Sequence, residues 1–66
     1  MNLLAKYTER ARSMTTAQLH YALLDIVDTE AFKGRCPDPA YTAKIMAEFD
    51  AYSTEKYRRQ HPRRRV

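Results

Sequence analysis

Glycine occurs once in this chain, at Gly34, and proline only three times. So few turn residues fit long helices joined by few connections. A single glycine also excludes a glycine-rich phosphate loop, and no serine nucleophile motif is present. Cys36 is the only cysteine, so an intrachain disulfide is excluded. A lone thiol in so short a chain fits a reducing, cytosolic setting. A structural zinc site is not expected either. Its ligands would have to be Cys36, His20 and His61, which lack the paired spacing of such sites.

Long apolar runs are missing as well. The longest is Tyr21–Leu24, broken by Asp25. A membrane span needs about 20 apolar residues. At the N-terminus Leu3, Leu4 and Ala5 are followed at once by Lys6, Glu9, Arg10 and Arg12, so no signal-peptide core forms. The expectation is a soluble, cytoplasmic protein without cofactor or metal.

With 66 residues the chain forms one domain at most. Chains this short are marginal alone, and with disulfide and zinc set aside, helix packing or a second copy must stabilise them.

Three helices are expected. Asn2 can cap the first, from about 3 to 12, whose Leu3, Leu4, Tyr7, Ala11 and Met14 share one side. Thr15 and Gln18 form a capping box for the second, and Met14 and Leu19 can staple its start. Gly34 at the C′ position and the following Pro37 place its end near Lys33, giving a helix over about 16–33. Asp38 as N-cap and Pro39 at the first helical position open the third, which continues to about residue 60 before Pro62. A short loop from Gly34 to Asp38 would make the second and third helices a long antiparallel hairpin. The reading is an all-α domain over residues 1–61, in a dimeric bundle, with a disordered arginine-rich tail over 62–66.

The faces of these helices suggest what they contact. On the second, Leu19, Leu23, Ile26 and Val27 are flanked by Ala22, His20, Leu24 and Ala31. That face spans roughly 200° of the wheel, wider than one packing partner needs. On the third, Tyr41, Ile45, Phe49 and Tyr52 recur at helical spacing. The expected core is Leu19, Leu23, Ile26, Tyr41, Ile45, Phe49 and Tyr52. A second stripe, Ala40, Ala43, Ala47 and Ala51, would let another helix approach closely. The bland alternative is that alanine is simply the best helix former on an exposed face. Tyr21 and Phe32 lie on the polar side of the second helix, where large apolar groups have no core to fill. These six residues are the candidate protein-contact positions.

The charge is uneven. Residues 1–57 hold seven basic and eight acidic side chains, a net −1, and the last nine residues carry +5, together the formal +4. The basic character therefore belongs to Arg58, Arg59, Arg63, Arg64 and Arg65. Arginines at a mobile end can contact a polyanion, and Tyr57 and His61 beside them could stack on bases. Arg58 and Arg59 also suit the C-terminal end of a helix dipole. A helix-turn-helix is not supported, since the third helix opens with Ala40, Tyr41, Thr42 and Ala43 instead of polar and basic side chains.

Candidate chemistry is sparse. Cys36 has no histidine close in sequence to activate it. Asp25, Asp28 and Glu30 read as a solvated acidic face, and His20 as a boundary residue able to report pH at an interface. The function expected is a non-enzymatic helical interaction protein. It would be homodimeric, of adaptor or inhibitor type such as phages and mobile elements encode, with a helix face offered to a protein partner. The alternative is a nucleic-acid-binding accessory protein acting through the C-terminal arginines.

Overall fold

A computed structural model describes residues 2–61, and those residues are all helix, turn and loop, with no strand among them. Helix α1 spans Leu3–Arg12, α2 Thr16–Val27 and α3 Pro39–Gln60. The tail over 62–66 lies outside the described residues.

The helix starts are set by their caps. Asn2 accepts from the Leu4 N–H at 2.8 Å. The Thr15 hydroxyl accepts from the Gln18 N–H at 3.0 Å while the Gln18 side chain accepts from the Thr15 N–H at 2.9 Å. Asp38 accepts from the N–H groups of Ala40 and Tyr41, with Pro39 in the first turn. Each device satisfies N–H groups that the helix leaves unpaired.

The second helix ends six residues earlier than expected, at Val27 instead of Lys33. Thr29 is the reason. Its hydroxyl donates to the Ile26 carbonyl at 2.7 Å and accepts from the Phe32 N–H at 3.1 Å. It thereby closes α2 and opens a separate turn, because a short hydroxyl side chain competes with the helical backbone ladder. The new turn bonds from Lys33 N–H to the Thr29 carbonyl. Gly34 stops that turn at φ +80, with Gly34 N–H bonded to Ala31 and Arg35 N–H to Glu30. This is a Schellman motif, which needs a left-handed C′ residue. Gly34 thus ends a helical segment as its sequence position implies, but the segment is the single turn after α2. The connection from α2 to α3 is correspondingly long, over 28–38.

Both α1 and α2 pack on α3, with α1 the more extensive partner. The core is Tyr7, Ala11, Leu19, Ile26, Ala31, Ile45, Ala51 and Tyr52, with Met14, Leu23, Phe32 and Phe49 packed around it. Tyr7 meets Tyr52 edge to face at 6.4 Å, joining α1 to α3. Tyr41, expected in the core, is 40% exposed. It stands in the first turn of α3 beside an open hollow, where no residue covers its ring fully. No helix among the described residues is long and apolar enough to cross a membrane.

Candidate contact surface

Leu19 and Ile26 fix which side of α2 faces inward, at 0% and 4% exposure. At 3.6 residues per turn, Ala17, Tyr21 and Leu24 fall on the opposite side, with His20 and Val27 at its edge. The side chains there are large and uncovered: Tyr21 is 65% exposed, Leu24 50% and Val27 38%. A helix with apolar residues on both sides has more apolar surface than one packing partner covers. Leu24 and Val27 belong to the wide apolar face expected of this helix, and Tyr21 to the side expected to be polar.

The stripe is polar at its ends. At the N-terminal end, Lys56 donates to His20 Nδ1 at 3.1 Å, tying α2 to α3, and the His20 ring sits 5.5 Å from Tyr21. At the C-terminal end lie exposed Asp25 and Asp28. Asp28 is 3.6 Å from Lys33, and Glu30 pairs with Arg35 at 2.8 Å.

The six candidate protein-contact positions divide. Tyr21, Ala40 and Ala43 are exposed. Phe32 is not available as an exposed group, because the early end of α2 swings it onto the core, where its ring lies 4.8 Å from Phe49. Ala51 is buried and Ala47 packs against the core, within the helix packing that α1 and α2 make on α3. Only the N-terminal part of the alanine stripe is open. Leu24 and Val27 belong by periodicity to the apolar face of α2, yet both are exposed. Their exposure follows from α3 covering only the Leu19–Ile26 side.

The polyanion candidates divide too. Arg63, Arg64 and Arg65 lie outside the described residues. Arg59 is committed inside the fold. It donates to Glu55 at 2.8 Å, to the Thr16 hydroxyl at 3.2 Å, and to the carbonyls of Ala11 and Arg12 at 3.3 Å each. Those carbonyls end α1, so Arg59 completes the C-terminus of a helix far away in sequence. Arg58 donates twice to Glu55, at 3.1 and 2.6 Å, while its side chain stays 67% exposed. Glu55 is the buried charge of the core, at 6% exposure. Hydrogen bonds from Arg58, then from Arg59, outweigh its desolvation and hold its pKa down at about 2. The reciprocal bond from Glu55 raises Arg58 above its ordinary value. Beyond them, exposed Tyr57 stacks on His61 at 4.3 Å.

Between the three helices lies an open hollow of about 310 Å³. Ile26, Ile45 and Tyr52 form part of its floor, and Arg10, Asp25 and Tyr41 stand around it. Lys44 bonds Glu48 at 3.0 Å across one wall, and that bond raises the Lys44 pKa. Burial, reinforced by Glu48, pushes the Tyr52 phenol up. The lining carries no cysteine, serine or histidine. Cys36 lies elsewhere, half-buried against the core, with its Sγ 4.0 Å from the Asp38 carbonyl. Among the described residues no three His, Cys, Asp or Glu side chains gather as metal ligands would. No family model, no curated protein and no solved structure matches this chain.

Proposed function

We propose that this chain is a non-enzymatic helical interaction protein of adaptor or inhibitor type, acting in the cytoplasm. The α2–α3 pair serves as an antiparallel hairpin that offers a helix face to a protein partner, in a homodimeric assembly. The observation that carries this reading is the outward stripe of α2, where Tyr21, Leu24 and Val27 stand exposed on a helix whose other side is already packed. An apolar patch rimmed by polar groups is the usual mark of a protein contact. A photo-crosslinking amino acid at position 21, in cells of the native host, should yield protein adducts. The same group at exposed Glu9 should not, and Leu24→Glu should abolish the adducts. Equal adducts from both positions would sink the reading.

A second reading has one observation in its favour. The exposed Tyr57–His61 stack stands next to Arg58 at the end of α3, a surface on which a nucleic acid base could extend the stack. Binding to single-stranded DNA, measured across a salt series with and without residues 62–66, tests it. Binding that is absent, or insensitive to salt, removes this reading.

A further inference from the structure

We propose that the occupant of the outward face of α2 is the same face of a second copy, laid antiparallel across it about a two-fold axis between Tyr21 and Leu24. The inference rests on the contact-face reading above and names its partner.

The spacing of the stripe is the first argument. Ala17, Tyr21, Leu24 and Asp28 follow one another at intervals of four, three and four residues. That series reads the same in both directions and stays within about 60° of the helix wheel. A two-fold axis through its middle sets Tyr21 on Leu24 of the other copy, twice, and Ala17 opposite Asp28, twice. A two-fold interface requires such a self-complementary surface.

Charge selects the direction. Asp25 and Asp28 stand at the C-terminal end of α2, and the first turn of α2 contains no acidic residue. The capping box occupies the N–H groups of Thr15 and Gln18, which leaves those of Thr16 and Ala17 at the positive end of the helix dipole. The His20–Lys56 pair adds basic character to that same end. Antiparallel packing brings each Asp28 to the partner's first turn, across the small side chain of Ala17. Parallel packing would set Asp28 against Asp28.

Area sets the strength. One face of a 12-residue helix falls short of the roughly 1,000 Å² of total buried surface that marks a stable complex. The dimer is therefore weak and concentration-dependent, and must be sought toward millimolar protein.

Sedimentation equilibrium from about 10 µM to 1 mM is the test, a span chosen for so small an interface. The intact chain should self-associate. Leu24→Glu, at a half-exposed position, should weaken association at least tenfold while circular dichroism stays unchanged. Asp28→Asn should weaken it roughly three- to thirtyfold, the range for two charges each lost from a helix N-terminus. Direction is read by disulfide trapping in a Cys36→Ser background. An Ala17→Cys chain mixed with an Asp28→Cys chain should cross-link to each other, and neither to itself. In this register like positions lie about 16 Å apart along the helix axis.

Self-linking of each variant would overturn the antiparallel arrangement. A monomer at every concentration, together with Leu24-dependent adducts from position 21 to a different protein, would overturn this inference and the homodimeric part of the reading above, and leave its contact face standing. Association untouched by Leu24→Glu, with no such adducts, would overturn both.

Discussion

Arg59 donates to the buried Glu55 at 2.8 Å and, from the same guanidinium, reaches the Ala11 and Arg12 carbonyls that close α1. One planar fork thus neutralises a core carboxylate and finishes a helix that begins at the other end of the chain. Planarity and several fixed donors make this a task for arginine that lysine does not reproduce. Removing Arg59 leaves Glu55 with only Arg58, the Ala11 carbonyl with only the Met14 N–H, and the Arg12 carbonyl without its guanidinium donor.

Arg59→Met should therefore destabilise the protein by about 2 kcal/mol, the range of hydrogen bonds to charged groups. Urea unfolding reads the loss, and amide exchange should quicken first in α1. Arg59→Lys should recover only part of it. Arg58→Ala should have a smaller effect, because that side chain is two-thirds exposed.

The same pair gives the fold an acid limit. The Glu55 pKa is lowered from 4.5 to about 2 in the folded state. Its contribution is thus fully present above pH 4.5 and fades as pH falls toward 2, because the unfolded chain takes up the proton first. The loss should be on the order of 2 kcal/mol, somewhat under the full shift because Arg58 is solvated. Urea midpoints measured from pH 7 to pH 2 should fall through this window. Glu55→Gln should be less stable at pH 7 and flatter below pH 4.5.

Thr15→Ala removes one half of the capping box of α2 and should cost about 1 kcal/mol. Thr15→Ser should restore most of that, a contrast visible in thermal melts.

Gly34→Ala tests backbone conformation in isolation, since an added Cβ would meet nothing within 4 Å. The φ of +80 alone should cost about 1 kcal/mol. Gly34→Asn should lose less, because asparagine tolerates this region. Equal losses from both would mean that the Schellman turn contributes something beyond its φ requirement.

Leu19→Ala empties the one large side chain that is fully buried among the described residues and should cost about 3 kcal/mol. That is a large part of what a domain this small holds. Tyr21→Ala and Leu24→Ala should leave unfolding midpoints of dilute protein almost unchanged, although these residues are as apolar. Their loss should show only in association.

The fold was legible where local chemistry decides it. Asn2, the Thr15–Gln18 box and Asp38–Pro39 each act within a few residues, and the helix starts follow from them. The end of α2 was misread because Gly34 is the louder stop signal, while Thr29, whose hydroxyl works in both directions, looks in the sequence like one more residue of the helix. The contact surface was half legible. The excess width of the apolar face of α2 is visible in the periodicity, but which part is left over depends on where α3 lies. The Glu55–Arg59 spacing of four residues suggests an ion pair. Its reach to α1 could not be read, because nothing local records that the two ends of the chain meet.

That meeting has a kinetic consequence. A helical protein usually folds quickly because its contacts are close in sequence. Here α1 finds its main surface on α3, two helices further along the chain, and its final carbonyls wait for Arg59. During synthesis α1 and α2 emerge with their apolar sides uncovered until α3 has followed. A chain broken off before α3 would be a pair of capped helices with nothing to close on, the kind of species that chaperones and proteases meet first.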